Sequence, residues 1–156
     1  QVPWMSATSP SPVWFRNPAN CRQGDANQVV FDTFAVHPLC EGLGKVAALI
    51  ACPLSTADPR FVPVVFSGAN DLAYPRQPVL LAGEIGKGRV VVSGEGHFMQ
   101  PGQIEEADNL RLAWNIMVWL SRGKLPHPAM EILRKHLTMK ESDFASWEEK
   151  EGRRTP

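Results

Sequence analysis

The sequence predicts a mixed α/β domain built around a β-hairpin and a buried helix. Three observations predict it: short β-branched runs, a pair of glycines between two of these runs, and one helix-length apolar segment. All three fall in residues 78–123, PVLLAGEIGKGRVVVSGEGHFMQPGQIEEADNLRLAWNIMVWLSRG. We expect the rest of the chain to pack around this stretch.

The hairpin is predicted from two apolar runs, residues 79–81 and 90–92, that flank Gly86-Lys87-Gly88. Glycine accepts the positive φ angles that a tight reversal of the chain needs, so the two runs are expected to pair as antiparallel strands. After the second run, the small residues of SGEGHF let the main chain turn sharply. Glu95 and His97 should then lie near a strand end, where the chemistry of open α/β sheets is usually found.

The helix is predicted to begin at Glu105 or Asp108 and to end near Gly123. Apolar side chains occupy nearly every side of it, so it must be buried. Acidic residues suit its amino end through the helix dipole, and Asn109 is interpreted as its cap. The apolar positions are Leu110, Leu112, Ala113, Trp114, Ile116, Met117, Val118, Trp119 and Leu120.

The remaining elements divide the chain into three predicted regions: a proline-rich arm over residues 1–28, the α/β domain over residues 29–123, and a charged, helical tail over residues 124–156. Four prolines make the arm irregular. Inside the domain we expect a brief extended piece at 29–34, a helical turn at HPLCEGL, and buried strands at 45–51 and 61–66.

Composition places the chain among soluble globular proteins. Its 156 residues are 44% hydrophobic and 21% charged, and 16 basic residues balance 16 acidic ones. No broad field of charge favours nucleic acid or an anionic membrane. No apolar run approaches the ~20 residues of a membrane-spanning helix. Three cysteines without a paired spacing suggest reduced thiols and a cytoplasmic location. Because residue 1 is Gln, we expect a processed product or a fragment.

Three segments in order carry a family resemblance: HPLCEGL, PVLLAGEIGKGRVVVSGEGHF and DNLRLAWNIMVWL. Together they resemble the carboxyl-terminal half of class I glutamine-amidotransferase-like domains. Within that superfamily they are most similar to a non-catalytic branch that includes ThuA-like proteins and the GIFT-like domain at the amino end of an intraflagellar-transport core subunit. The resemblance implies a partial flavodoxin-like sandwich. The family's first half, with its nucleophile-bearing elbow, has no counterpart before His37.

The resemblance also places Glu95 and His97 where catalytic members carry their late histidine and acid. If the protein is an enzyme, these are the predicted catalytic residues. A nucleophile is harder to assign, because Pro53 follows Cys52 and leaves no helix to stabilise a thiolate. Cys40 lies in a turn and Cys21 in the arm. We therefore favour a loop role for His97, in which it hydrogen-bonds the strand end.

Other motifs favour structural interpretations. The segment GEIGKGR has the glycines and lysine of a phosphate loop, but a strand follows it instead of a helix amino terminus, so a hairpin turn is favoured. His37 and Cys40 have a spacing that suits a metal, but no second ligand pair follows, so neither metal nor cofactor is predicted. His37 is expected to order its own turn. The predicted binding residues are Glu95, His97, His37 and Asn109.

The favoured function is a non-catalytic interaction or ligand-binding module, in effect a pseudoenzyme on an amidotransferase-like scaffold. Its predicted partner is a protein or a small polar ligand, with self-association through an exposed sheet edge as a further possibility. The alternative is a hydrolase or amidotransferase, or a ThuA-like protein of sugar metabolism, that uses His97 and Glu95. A third interpretation is a truncated product with no independent role.

Overall fold

The computed structural model describes residues 5–7, 28–49, 51–69 and 75–124. The chain divides into two compact units, Gln1–Leu120 and Ser121–Pro156. In the second unit the described residues form a turn, in which Lys124 N–H donates to the Ser121 carbonyl at 3.0 Å. The predicted helical tail otherwise lies outside the described residues. All elements below belong to the first unit.

Eight strands and two helices form the described part of that unit. Every strand pair is antiparallel, and the pairs form three sheets with the orders β1-β5, β2-β4 and β3-β6-β7-β8. The elements are β1 (Met5–Ala7), β2 (Gln28–Phe31), β3 (Thr33–Phe34), a 3₁₀ helix (Pro38–Cys40), β4 (Val46–Leu49), β5 (Leu54–Thr56), β6 (Phe61–Phe66), β7 (Pro78–Ile85), β8 (Gly88–Ser93) and α1 (Asn109–Leu120).

The predicted hairpin is present as β7 and β8, joined by a two-residue turn. Ile85 pairs with Gly88, and the regular register continues to Leu80 opposite Ser93. Gly86 has a φ of +59°, whereas Lys87 is outside the positive-φ region. A glycine at the first central position is typical of a type II′ turn, whose twist matches that of the flanking strands. The sequence therefore located both the turn and its chemistry.

Strand β6 pairs with β7 on one side and with the short β3 on the other. The register between β6 and β7 shifts between Pro63 and Val65. Proline has no N–H to donate, so an irregularity at Pro63 is the expected consequence of placing proline in a paired strand. The sequence predicted a buried strand over residues 61–66, and β6 occupies that range.

The helix α1 packs against one face of the four-stranded sheet and against β4. Its buried side chains Leu112, Ile116 and Trp119 share a core with Leu80 and Ala82 of β7. On the other face of the sheet, Leu54 and Phe61 pack with Leu81. The predicted contact between hairpin and buried helix is confirmed. Among the described residues no helix is long and apolar enough to cross a membrane.

One expectation needs correction and two remain unconfirmed. The arm was expected to lack strands, but residues 5–7 pair with residues 54–56 of β5, because the prolines at 3 and 10 leave a short stretch between them free to extend. The mixed α/β class is confirmed, whereas the flavodoxin-like sandwich is not, since the described sheets contain antiparallel pairs only. The three-region division of the chain stays a prediction.

Candidate functional site

The candidate site is the loop that follows β8, and its start is fixed by the main chain of Gly94. The Gly94 N–H donates to the Val79 carbonyl and its carbonyl accepts from the Cys52 N–H, both at 2.9 Å. The two main chains lie so close that a Cβ on residue 94 would overlap the Cys52 carbonyl oxygen. Only glycine fits there. The close approach ties the segment before β5 to the end of β8.

The Glu95 carboxylate is buried and holds the loop after it. Only 6% of the surface of Glu95 is exposed. Oε1 accepts a hydrogen bond from the His97 N–H at 2.6 Å, and Oε2 accepts one from the Phe98 N–H at 2.7 Å. Charge-assisted bonds to main-chain donors are short and strong. Glu95 therefore caps a sharp turn of the backbone with both of its oxygens.

The His97 ring lies beside the same carboxylate. Its Nδ1 is 3.0 Å from Glu95 Oε1, and 42% of the side chain is exposed. A carboxylate oxygen only accepts, so Nδ1 is the donor in this contact. This is the orientation in which a carboxylate prepares a histidine as a base. The structure thus brings Glu95 and His97 into contact after β8, the strand end near which the sequence predicted both residues to lie.

The two described thiols do not complete a catalytic pair with this histidine. Cys52 Sγ donates to the Gly94 carbonyl at 3.1 Å, and Cys40 Sγ donates to the Val64 carbonyl at 3.2 Å. Burial raises the pKa of both thiols, that of Cys40 to about 11. Both are therefore protonated at neutral pH and are poor nucleophiles. Cys21 lies outside the described residues.

The space next to Glu95 is also small. A cavity of about 30 Å³ is lined by Glu95 together with Phe31, Val79 and Leu112. That is roughly the volume that one water molecule occupies in the liquid, far below the ~300 Å³ at which small-molecule sites begin. His97 does not line this cavity, and 42% of its side chain is exposed.

Asn109 lies in the core and does not cap the helix, contrary to the interpretation from sequence. Its Oδ1 accepts from the Ala47 N–H, and its Nδ2 donates to the Ala47 carbonyl, both at 2.9 Å. Nδ2 also donates to the Gln103 carbonyl at 2.8 Å. The residue is 0% exposed. The side-chain amide therefore bonds to the edge of β4 that does not face β2, instead of to the N–H groups at the start of the helix.

The neighbouring Asp108 also bonds to a distant part of the main chain, which the sequence did not predict. Its Oδ2 accepts from the N–H groups of Gly44 and Lys45 at 2.7 and 2.8 Å. A β-bridge between Val46 and Ala107 continues the same contact. The only signal in the sequence was the Asp-Asn pair before an apolar helix, which equally describes an ordinary helix start.

His37 orders its own turn, as expected from the sequence, and lies far along the chain from the Glu95 loop. Its Nδ1 accepts from the Leu39 N–H at 3.2 Å at the start of the 3₁₀ helix. Its ring meets that of Trp119 edge-on at 5.4 Å. Burial, with a smaller contribution from the nearby Arg89, lowers the His37 pKa.

An open groove of about 310 Å³ lies beside this histidine. Its walls combine charged groups with an aromatic ring, and its lining residues are His37, Arg60, Val62, Ala82, Gly83, Glu84 and Trp119. Glu84 accepts from Arg89 Nε at 2.7 Å, and Arg60 is paired with Asp58 at 2.6 Å. The charged walls are therefore already neutralised within the protein. Sequence reasoning did not identify this groove, since its residues come from distant segments.

Within residues 28–49, 51–69 and 75–124, no group of three metal-binding side chains comes together. In particular, the His37 and Cys40 spacing does not form a site. The ring nitrogen Nδ1 of His37 accepts from Leu39, and the sulfur of Cys40 donates to Val64.

Comparison with solved structures shows that the fold is similar to the mmIFT52 N-terminal domain. The TM-score is 0.58 at 15% sequence identity, and the match covers 79% of this chain and 56% of that chain. At this identity the likeness shows the fold alone. It fits the GIFT-like part of the resemblance found in the sequence. No protein-family model matches the chain, and no curated protein matches it.

Proposed function

We propose that the chain is a non-catalytic interaction module on a GIFT-like fold derived from an amidotransferase-like scaffold. One observation carries the proposal: both oxygens of the Glu95 carboxylate accept main-chain N–H groups. The acidic residue that catalytic members of the superfamily would use is employed here to hold a loop. The protonated thiols of Cys40 and Cys52 support the same conclusion, because each is used as a donor to a carbonyl.

The surface of α1 supports interaction with another protein. Met117 and Leu120 are 42% and 38% exposed, although the rest of the helix is largely buried. Leu110, which is partly exposed, lies seven residues before Met117, so after two helical turns it falls on the same side of α1. We call Leu110, Met117 and Leu120 the α1 surface. Its chemistry fits an amphipathic helix laid against it by a partner protein.

The fold likeness directs the choice of that partner. The mmIFT52 N-terminal domain belongs to an intraflagellar-transport protein, so other intraflagellar-transport proteins are the first class of partner to test. Because the chain spans only 56% of that domain, the role of the whole neighbour is not transferred to it. A ciliary location and the cytoplasmic location expected from the sequence are both parts of this proposal.

Paired substitutions test the α1 surface. Met117→Glu places a charge on it, and Met99→Glu is the matched control, since both methionines are 42% exposed. Candidate helical segments of intraflagellar-transport proteins are titrated against both variants by fluorescence anisotropy. The proposal expects Met117→Glu to weaken binding at least about tenfold, corresponding to a loss of ~1.4 kcal/mol. Equal weakening by both variants, or by neither, would exclude the α1 surface.

The alternative is a hydrolase or amidotransferase, and the His97 geometry is the observation that favours it. Nδ1 is held by the Glu95 carboxylate at 3.0 Å while the ring remains accessible. The protein is incubated with L-glutamine and with p-nitrophenyl acetate, alongside its His97→Ala variant. The module hypothesis expects identical background rates. Turnover that disappears in the variant would favour the enzyme, since the loss would report a group acting in the transition state.

A further inference from the structure

Strand β8 forms one edge of the four-stranded sheet, and alternate residues of its main chain point away from the sheet. Next to a two-residue turn the first pair is hydrogen-bonded, and such pairs alternate along a hairpin. Gly88, Val90 and Val92 therefore bond to β7, and Arg89 and Val91 face outward. Ser93, two residues after Val91, also faces outward. Within the described ranges, the main chains of these three outward residues have no hydrogen-bond partner.

Within the described residues, this edge lacks the proline, the bulge and the outward charge that commonly keep sheet edges apart. Protected edges carry proline, bulges, or charged side chains that point inward or outward along the strand. The β8 sequence GRVVVS has no proline, and its register with β7 is regular. Its one charged side chain is folded back, because Arg89 donates to Glu84 and to the Trp119 carbonyl. The three valines between Arg89 and Ser93 are half-buried.

We propose that β8 pairs with β8 of a second copy of this chain, antiparallel and across a two-fold axis at Val91. The strand is complementary to itself in this register. Val91 faces Val91 of the other copy, and Arg89 faces Ser93, so every outward N–H meets an outward C=O. The only charge in the strand meets a neutral hydroxyl, with no like charges opposed. A shift by one residue would place outward groups against inward ones.

The pairing makes the two sheets continuous and removes both free β8 edges. Such isologous interfaces are the commonest form of homodimer. Val90, Val91 and Val92, half-buried in one copy, gain neighbours from the other. The inference goes beyond the proposed function, which concerns other proteins and the α1 surface. A monomeric chain would overturn it and leave the proposed function standing.

The test combines a mass with residue-specific hydrogen exchange on the full chain. Light scattering should give about twice the chain mass of 17.2 kDa. Amides of Arg89, Val91 and Ser93 should exchange at least about tenfold more slowly in the dimer than after dilution to monomer. Amides of Val90 and Val92 are the internal control, because their bonds to β7 persist on dilution.

Each other outcome overturns the proposal. A monomer with slow outward amides would show that another segment of the same chain covers β8. A monomer with fast outward amides would show a free edge. A dimer with fast outward amides would place the interface elsewhere. The mass and the exchange rates are measured on the unmodified chain, so they do not depend on whether a substitution disturbs the fold.

A pair of substitutions at one position adds a second reading. Val91→Pro removes the outward N–H without touching the β7 ladder, a position at which edge strands accept proline. Val91→Thr keeps both the N–H and the branched shape. The proposal expects a monomer for the first and a dimer for the second. If Val91→Pro remains dimeric while folded, β8 is not the interface. If it unfolds, the exchange of the unmodified chain decides alone.

Discussion

The side-chain amide of Asn109 pairs with the main chain of Ala47 as a neighbouring strand would. Its oxygen accepts the Ala47 N–H and its nitrogen donates to the Ala47 carbonyl, both at 2.9 Å. Strand β2 occupies the other side of β4. One amide at the start of α1 therefore satisfies a buried strand edge, and it fixes the helix to the sheet.

Asn109→Ala should lower the free energy of unfolding by about 2–4 kcal/mol, because it leaves buried main-chain groups of Ala47 without partners. Asn109→Asp should cost at least as much, since an oxygen would replace the donor that faces two carbonyls. Urea denaturation measures both. Met117→Ala, on the exposed side of the same helix, is the control and should change stability by less than about 1 kcal/mol.

The elements of the hairpin and helix could be predicted because their signals are local. Gly86-Lys87-Gly88 between β-branched runs specifies a turn and its strands, and the apolar pattern of α1 specifies burial. The pairing of residues 5–7 with β5 could not be predicted, because a three-residue strand has no periodicity. The role of Asn109 was also missed, since the edge it fills lies 62 positions earlier in the chain.

Two glycines in the candidate site offer a matched comparison. A Cβ at Gly94 would overlap the Cys52 carbonyl oxygen, whereas a Cβ at Gly96 meets no atom within 4 Å. Gly94→Ala should therefore separate two main chains and destabilise the protein by about 3 kcal/mol or more. Gly96→Ala should be nearly neutral. Thermal unfolding of the two variants checks this, and similar melting temperatures would contradict the close approach.

The candidate site itself was only partly readable from the sequence. The sequence placed Glu95 and His97 near the same strand end, and the structure places His97 Nδ1 3.0 Å from Glu95 Oε1. The purpose of the carboxylate was not readable. Whether Glu95 accepts main-chain N–H groups or a substrate's proton depends on the turn geometry at residues 96–98, and small residues permit many turns.

The partly buried thiol of Cys40 predicts a loss of stability in alkali. Burial raises its pKa from 9.0 to about 11 in the folded protein. The unfolded chain therefore loses this proton first. The contribution of the Cys40 thiol to the free energy of unfolding is complete below about pH 9 and falls as pH rises towards 11. Cys40→Ala should flatten this part of the curve of unfolding free energy against pH. An unchanged slope in the variant would show that the thiol is not the responsible group.

Glu95 tests the proposed role of its carboxylate, which is to hold the backbone of residues 97 and 98. The measurement is the free energy of unfolding of Glu95→Ala compared with that of His97→Ala. We expect a loss of about 2–4 kcal/mol for Glu95→Ala, because the His97 and Phe98 N–H groups lose their acceptor, and a loss below about 1 kcal/mol for the exposed histidine. Residues kept for catalysis are often retained at a cost to stability. A Glu95→Ala variant as stable as the parent, or more stable, would contradict this role of the Glu95 carboxylate.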